Sequence, residues 1–435
     1  MLIQSTPDAY DKLRLLGGGA SDDLLMPDKT GGCGAPPTRS RTRPQDRDLG
    51  AGIFHALMPN GKSISLMRVL FTDVCQYDCA YCVNSVWVPR RRYAFKVEEL
   101  ARLFMELYQR QTAAGLFLSS GIPNSPDKTM EKLLSVVDML RNHYGFKGYI
   151  HLKVMPGASA QYVEAAYRLG SRLSVNMEAP TAEHLRRLST RKDFDRHIMG
   201  AMQTIHKYVQ EGDNGAAGQV TQLVIGPAGE SDWDIYQRML QLYTQVGLKR
   251  VYYSPFRPVP HTPLEEHPAT PTIRAHRLYQ VDWLHRIYGY SEDELRSAFD
   301  DGGHLPLSVD PKLMLAAEQE SEVDINTADY RHLLRVPGIG PVSAKRIVAQ
   351  RRDHAIDTWR DLQAMGVVVR RARAFVAMAG SRPERPKQLK LELFKEREPA
   401  SNSSLAEASC AACATHACGG CPVANASSTL RTAAC

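Results

Sequence analysis

From residue 63 onward, apolar, β-rich runs alternate with stretches of helical periodicity, and no other feature limits the possible folds as strongly. Residues 97–111 and 129–145, for example, have the apolar spacing of a helix with one buried face. Strands that alternate with helices usually form a parallel sheet. The pattern therefore predicts an α/β fold, and a doubly wound sheet suits it as well as a barrel. The predicted strands are residues 63–71, 115–121, 148–157, 172–180, 219–227 and 249–256.

Two of these strands carry polar residues on a face that a buried parallel strand should keep apolar. Lys153 stands on the polar face of the third strand, and Asn176 and Glu178 stand on that of the fourth. In a barrel covered by helices such residues point inward, toward the C-terminal ends of the strands, where ligands bind. The alternative is a sheet with one exposed face.

The first strand leads into the stretch FTDVCQYDCAYCVN, residues 71–84. Cys75, Cys79 and Cys82 have C-x3-C-x2-C spacing, and Tyr81 places an aromatic ring beside them. Thiolates this close together are soft ligands that suit an iron–sulfur cluster or zinc. Three ligands leave one iron of a [4Fe–4S] cluster open for chemistry. Half of a zinc site and a disulfide loop are the alternatives.

The use of cysteine and the lack of targeting signals predict a cytoplasmic protein. Seven of the nine cysteines fall in two tight clusters, which favours metal ligands over disulfides. The N-terminus lacks the apolar core of a signal peptide, and no apolar run approaches the about 18 residues of a membrane-spanning helix. The net charge of +7 permits a polyanionic partner without requiring one.

A second motif covers residues 324–351, DINTADYRHLLRVPGIGPVSAKRIVAQR. Asp324 or Asn326 is expected to cap a first helix, and a second helix is expected from Pro341 to Arg351. Residues 365–380 suggest a further hairpin of the same kind, with Gly366 at its turn.

The turn between these two helices, Gly338-Ile339-Gly340, resembles the helix-hairpin-helix motif that binds DNA. Glycines there allow backbone N–H groups at a helix N-terminus to approach a phosphate. Lys345 and Arg346 add positive charge. Such contacts hold the nucleic acid without reading its sequence. A hairpin that binds protein, or that is purely structural, is the alternative.

The last residues, 381–435, have the composition of a mobile tail. Its cysteines have C-x2-C-x4-C-x2-C spacing, which suits a second iron–sulfur cluster or zinc, with an unstructured tail as the alternative. Residues 388–394, QLKLELF, resemble the peptide by which bacterial repair and replication proteins bind the sliding clamp; a strand or helix packed on the main body is the alternative. The four cysteines are Cys410, Cys413, Cys418 and Cys421.

The cysteine loop resembles the signature of the radical S-adenosylmethionine (SAM) superfamily. The resemblance implies a partial (βα)6 barrel of the TIM type, a [4Fe–4S] cluster bound by the three cysteines, and SAM on the open iron. One electron from the cluster then cleaves SAM to methionine and a 5′-deoxyadenosyl radical, so the resemblance also implies an electron donor as a partner. The resemblance also implies SAM contacts at the ends of the strands, here at Tyr81, Ser119, Ser120, Gly121, Lys153, Asn176 and Glu178.

Residues 61–380 are more closely similar to a family of DNA modification or repair radical SAM proteins with a uracil-DNA-glycosylase-like partner. The resemblance lies in CQYDCAYCVN, GLFLSSGI, GYIHLKVMPGA, RLSVNMEAP, YYSPF, RLYQVDWL and DINTADYRHLLRVPGIG. It implies radical chemistry on DNA. A radical SAM enzyme that modifies RNA and a non-catalytic iron–sulfur DNA-binding protein are the alternatives.

These patterns together predict five segments. An irregular extension (1–60) precedes the barrel (61–260), and a helical connection (261–320) closes the barrel. An all-α helix-hairpin-helix domain (321–380) and the tail (381–435) follow. In the connection, the stretch IRAHRLYQVDWLHRIYGY is either a wall of the substrate cleft or an ordinary packing helix.

Overall fold

The computed structural model describes residues 7–19, 52–57, 63–212, 215–216, 218–319 and 322–378. Within these ranges the chain divides into two compact units, one ending at Leu315 and one beginning at Ala316. The tail cysteines and residues 388–394 lie outside the described residues, and so does most of the predicted N-terminal extension. The predicted domain boundaries remain predictions.

The first unit is built on a curled, seven-stranded sheet that forms a half-barrel, with strand order β1 to β7. Strands β2 to β7 are parallel and correspond to the six predicted strands. β1 was not predicted. It pairs antiparallel along the free edge of β2, with Ile53 opposite Met67. The strands are β1 (Ile53–Leu57), β2 (Ser63–Leu70), β3 (Gly115–Ser119), β4 (Tyr149–Lys153), β5 (Arg172–Ser174), β6 (Gln219–Ile225) and β7 (Arg250–Pro255).

Helices follow the strands and cover the outside of the half-barrel. In α2, for example, Leu100, Leu103, Phe104 and Leu107 are all buried, as their spacing predicts. The helices of this unit are α1 (Ala9–Gly19), α2 (Val97–Gln109), α3 (Pro126–Asp138), α4 (Ala160–Leu169), α5 (Ala182–Leu188), α6 (Gly200–Glu211), α7 (Asp232–Gln245), α8 (Thr272–Arg286), α9 (Glu292–Arg296) and α10 (Pro311–Glu318), which runs across the division. Two π-helical segments, Met139–His143 and Phe194–Met199, extend α3 and precede α6.

The polar face of β4 and of the segment after β5 is buried, which rules out an exposed sheet face. Lys153 is 9% exposed, Asn176 is 7% exposed and Glu178 is 5% exposed. On the same face of β4, burial and the charges of Arg172 and Lys153 lower the pKa of His151 to about 3. The imidazole is therefore neutral. The half-barrel thus has a polar interior.

The predicted fourth strand is shorter than expected, because β5 ends at Ser174 and not near residue 180. Beyond it, the Met177 amide donates to the Thr221 side chain at 2.9 Å in place of a backbone ladder bond. Glu178 then has a φ of +66°, a left-handed backbone conformation that residues other than glycine adopt rarely. Backbone pairing with β6 resumes at Glu178, whose amide donates to the Gln222 carbonyl at 3.0 Å, and the side chain of Glu178 is buried.

Helix α8 packs against the outside of β7. The Tyr279 hydroxyl accepts a hydrogen bond from the Tyr253 amide at 3.0 Å. The buried Asp282 accepts one from the Tyr243 hydroxyl at 2.7 Å. Both side chains are therefore used for packing and not for a substrate cleft. Trp283, on the same helix, is 50% exposed.

The second unit contains two hairpins of short helices, as the sequence predicts. Its elements are β8 (Val323–Asp324), α11 (Tyr330–Arg335), α12 (Pro341–Gln350), α13 (Trp359–Ala364), α14 (Val369–Ala372) and β9 (Val376–Ala377), with β8 and β9 parallel. The expected cap of the first helix was wrong. Asp329 caps α11 by accepting from the His332 amide at 2.8 Å. Asp324 belongs to β8 and accepts from the Asn326 and Thr327 amides, which makes a turn ahead of the helix.

The two hairpins contact each other through their backbones. Gly338 has a φ of +85° and Gly366 a φ of +87°. The Val368 amide donates to the Gly338 carbonyl at 2.9 Å. A Cβ atom at Gly338 would lie 2.5 Å from the Val368 carbonyl oxygen, too close to be tolerated. Gly338 is therefore required by packing between the hairpins, whatever it binds.

We expect Gly338→Ala to destabilise the second unit by about 3 kcal/mol. The alanine would have to adopt a left-handed backbone conformation, and its Cβ atom would clash with backbone atoms of the second hairpin. Gly366→Ala is the matched control. It has the same φ to within a few degrees, but its nearest neighbours are the movable side-chain atoms Ser343 Oγ at 3.3 Å and Arg346 Nη1 at 3.5 Å. It should cost about 1 kcal/mol. Amide hydrogen exchange of residues 322–378 in the full-length protein measures both, and equal protection in the two variants would contradict the packing argument.

Candidate active site

The carboxyl ends of the barrel strands surround a cavity of about 360 Å³, a size typical of small-molecule sites. The loop after β2 supplies the cysteines, and the ends of β3, β4, β6 and β7 and the segment after β5 supply most of the remaining walls. The cavity brings together every residue that the sequence assigned to the cluster and to SAM. These residues are Cys75, Cys79, Tyr81, Cys82, Ser119, Ser120, Gly121, Lys153, Asn176 and Glu178.

The cysteine loop is held against the end of β3. The Gly121 amide donates to the Thr72 carbonyl at 2.7 Å, and the Gln76 amide donates to the Ile122 carbonyl at 3.0 Å. A Cβ atom at Gly121 would lie 2.4 Å from the Val74 carbonyl oxygen. Gly121 is thus required for the approach of the cysteine loop. Its predicted contact with SAM remains a prediction.

The three cysteines are free thiols within the loop. The Tyr77 amide points at the Cys75 sulfur and the Asn84 amide at the Cys82 sulfur, each at 3.4 Å. Donors of this kind stabilise negative charge on sulfur. Cys79 is buried, which raises the pKa of its thiol, and the charge of Lys192 opposes that rise.

These donors have the chemistry of cluster ligands. Among the described residues, no three His, Cys, Asp or Glu side chains converge as ligands of one metal ion. A [4Fe–4S] cluster does not require such convergence, because each cysteine binds a different iron. Three thiols in one cavity, two with amide donors, therefore suit the cluster that the resemblance implies.

A buried ion pair that the sequence did not reveal lies beside the cysteines. Lys192 Nζ is 2.7 Å from Glu178 Oε1, and the two side chains are 7% and 6% exposed. The same ammonium donates to the Tyr81 hydroxyl at 2.9 Å. The cysteine loop, the segment after β5 and the loop after α5 thus meet at this one nitrogen. Lys192 stands in the polar stretch TRKDFDRH, where nothing in the sequence distinguishes it from a surface lysine.

The surroundings of Lys192 shift its pKa and the pKa of Tyr81. Burial alone would lower the pKa of the ammonium, but the negative charges of Cys79 and Glu178 outweigh it and raise that pKa above its ordinary value. Burial, together with the charges of Cys79 and Glu178, raises the pKa of Tyr81 well above its ordinary value. The ammonium therefore stays charged and the phenol stays neutral.

The predicted DNA-binding residues lie around the first hairpin of the second unit. Ile339 is buried, and Gly338 packs against the second hairpin as described above. Lys345 and Arg346 are exposed on α12, and Arg346 also donates to the Met365 carbonyl at 3.3 Å. Residues 322–378 contain ten Lys and Arg residues against six Asp and Glu residues, so this unit is basic.

Comparison with protein families agrees with this geometry. Residues 69–242 match the radical SAM superfamily. The half-barrel is a radical SAM domain. A match to this superfamily implies SAM and a [4Fe–4S] cluster. Residues 318–366 match the helix-hairpin-helix motif, which confirms that part of the prediction.

The curated relatives are RuvA subunits of the Holliday junction branch migration complex. The chain is 27% identical over 132 residues to the Holliday junction branch migration complex subunit RuvA of Pseudomonas paraeruginosa, covering 29% of this chain and 64% of that protein. It is 33% identical over 105 residues to RuvA of Pseudomonas putida, covering 23% of this chain and 50% of that protein. The chain thus spans between half and two thirds of the length of these relatives.

Solved structures with partial likeness include three proteins. HydG, a maturase of the [FeFe]-hydrogenase, has 12% identity and a TM-score of 0.41, over 50% of this chain and 49% of HydG. Methylornithine synthase (PylB) has 15% identity and a TM-score of 0.41, over 50% of this chain and 61% of PylB. A radical SAM methyltransferase from Sphaerobacter thermophilus has 15% identity and a TM-score of 0.39, over 53% of this chain and 74% of that chain.

Where the structure describes the chain, none of its helices is both long and apolar enough to cross a membrane.

We expect Lys192→Met to lower the free energy of unfolding by about 3–5 kcal/mol, because it leaves the buried Glu178 carboxylate without its partner. The double variant Lys192→Met with Glu178→Gln should recover part of this loss, since no buried charge remains. Urea unfolding of the protein measures both changes. Arg168→Met, which breaks the exposed pair with Glu164, is the control and should cost about 0.5 kcal/mol or less. A Lys192→Met protein as stable as this control would show that the pair is not buried as described.

Proposed function

We propose that this protein is a radical SAM enzyme that acts on DNA, with Cys75, Cys79 and Cys82 as the ligands of a [4Fe–4S] cluster. The observation that carries the proposal is the cavity itself. It places three free thiols opposite the polar interior of a half-barrel, at the ends of its strands. The three cysteines would hold the cluster, and with SAM and an electron from a donor the cluster would supply radical chemistry directed at a substrate C–H bond.

The side chains of the cavity suit the binding of a polar, charged cofactor. Asn176 and Lys153 offer an amide and an ammonium at the ends of neighbouring strands, and both line the cavity. We infer that they hold the ribose and carboxylate groups of SAM. The Lys192 ammonium keeps Tyr81 and Glu178 in place beside the thiols. The site is therefore organised before any ligand enters.

The case for DNA rests on the second unit. Its helix-hairpin-helix motif, its positive charge and the similarity to RuvA, a subunit of a complex named for Holliday junctions, all support binding to a phosphate backbone. RNA presents the same phosphates, so an RNA-modifying enzyme is the second candidate. A base inside a duplex cannot enter a barrel, so the target base must be unpaired, flipped out or damaged.

Further partners belong to the same proposal. The family resemblance supports a uracil-DNA-glycosylase-like partner and an electron donor. The pattern QLKLELF supports docking on the sliding clamp, and the four tail cysteines support a second metal. We place the enzyme in the cytoplasm.

Replacing Cys75, Cys79 and Cys82 together by Ala should abolish both cluster assembly and reductive cleavage of SAM, because each thiol binds one iron. After anaerobic reconstitution, the visible absorption of the cluster and the formation of 5′-deoxyadenosine are measured. Cys33 lies outside the two groups of closely spaced cysteines. Cys33→Ala is therefore the control, and it should leave the cluster absorption and the formation of 5′-deoxyadenosine unchanged. Normal 5′-deoxyadenosine formation in the triple variant would exclude the proposed ligands.

The double variant Lys345→Gln with Arg346→Gln should weaken duplex DNA binding regardless of sequence, and it should reduce the salt dependence by about one unit of slope for each phosphate that is no longer bound. Arg360→Gln with Arg370→Gln removes the same charge from exposed positions on the second hairpin. This control should retain more affinity. Fluorescence anisotropy against salt concentration, with DNA and RNA duplexes in parallel, makes both comparisons. Equal slopes in the two double variants would mean that the first hairpin has no special role in holding the phosphates.

A further inference from the structure

Trp87 lies just after the cysteine loop and is exposed. The residue is 49% exposed, and the adjacent Val86 is 53% exposed. The indole Nε1 donates to the Asp78 carbonyl at 3.2 Å, and Asp78 stands between Cys75 and Cys79. The polar edge of the indole is thus fixed to the loop that carries the cysteines. A large aromatic surface therefore remains exposed on the segment that follows the cysteines of the cavity.

Asp78 also attaches a second segment to the same place. Its carboxylate accepts from the Ser189 hydroxyl at 2.6 Å and from the Thr190 amide at 3.1 Å. The two residues that follow Thr190 differ in their surroundings. Lys192 lines the cavity, whereas Arg191 is exposed. One aspartate therefore holds Trp87 through its carbonyl and the segment leading to Arg191 through its carboxylate.

A second exposed arginine lies on the wall of the same cavity. Arg257 follows β7, in the sequence Arg257-Pro258-Val259-Pro260, and lines the cavity. The prolines restrict the backbone on which it stands. Among the residues that the structure describes, neither Arg191 nor Arg257 has a hydrogen bond or an ion pair through its guanidinium. Within the described part of the chain, both cations are therefore free to contact an anionic ligand.

An exposed aromatic ring and exposed guanidinium groups, on segments whose residues line one cavity, have the chemistry that binds an unstacked nucleotide. Bases stack on aromatic side chains, and arginines bind the flanking phosphates. In a duplex the base faces are covered by their neighbours, so a tryptophan can stack only on a base that is unpaired or at a strand end. We propose that Trp87, with Arg191 and Arg257, forms a single-strand-binding surface, here called the Trp87 surface, at the entrance to the cavity.

This inference rests on the proposed function and adds to it. It assigns the recognition of an unpaired nucleotide to the radical SAM domain itself, separately from duplex binding by the second unit. A protein partner on Val86 and Trp87 is the competing occupant. The two guanidinium groups favour nucleic acid, because an apolar protein contact would leave their charges without partners.

The test uses the full-length protein, a short labelled oligothymidylate strand and a labelled duplex of the same length. Trp87→Ala should weaken single-strand binding by about tenfold or more, the usual effect of removing one stacked base, and should leave duplex binding unchanged. Trp283→Ala is the matched control, because Trp283 is equally exposed but lies on the outer helix α8. It should change neither affinity.

Two further variants separate recognition from folding. Trp87→Phe keeps an aromatic face and removes only the hydrogen bond to Asp78, so it should retain most of the single-strand affinity. Arg191→Gln with Arg257→Gln should lower the salt slope of single-strand binding by about 0.7 for each phosphate that is no longer bound. A merely structural role of these residues would not change the salt slope.

The outcomes distinguish this inference from the proposed function. If the wild-type protein binds neither probe, the proposed function fails and this inference fails with it. If the wild-type protein binds DNA but Trp87→Ala behaves like Trp283→Ala on the single strand, the Trp87 surface is not a nucleotide site and is left to a protein partner. The inference is supported if Trp87→Ala loses single-strand binding while Trp87→Phe and Trp283→Ala retain it.

Discussion

The buried ion pair between Lys192 and Glu178 is the contact on which the candidate site depends. Both charges are almost completely removed from water, at 7% and 6% side-chain exposure. Such charges are tolerated only when each has its partner and further hydrogen bonds. Tyr81 provides one of these to Lys192. The pair therefore ties the loop after α5, the segment after β5 and the cysteine loop into one arrangement.

Two other contacts also hold the cysteine loop in place. Gly121 permits the backbone of the cysteine loop to rest on the end of β3, and Asp78 fixes the loop to Ser189 and Thr190. With three independent attachments the loop has little freedom, and its thiols face the polar interior of the barrel. A site held in this way presents its ligands without rearrangement, which favours selective binding and catalysis. Asp78 also accepts a hydrogen bond from the Trp87 indole, and the segment that it holds leads to the exposed Arg191.

The second unit shows that one residue type can satisfy two requirements at once. The glycines of its first hairpin have the flexibility that phosphate contact requires. Gly338 is also forced by the carbonyl of Val368, which leaves no room for a Cβ atom. Lys345 and Arg346 are both exposed, and Arg346 also donates to the Met365 carbonyl of the second hairpin. Replacing these charges places no atom against the Val368 carbonyl, so it tests the proposed DNA binding more directly than a substitution of Gly338.

The sequence by itself determined the six parallel strands, the helices between them, the cysteine loop and the hairpins, because these follow from periodicity and from local spacing. It also identified the polar face that carries Lys153, Asn176 and Glu178, because alternation along a strand is local too. It missed β1, whose only support is pairing with β2, and it missed the cap at Asp329. Only the tertiary structure decided that Lys192 belongs to the site. Its partners Glu178 and Tyr81 are 14 and 111 residues away along the chain, and no local pattern encodes contacts between residues that only folding brings together.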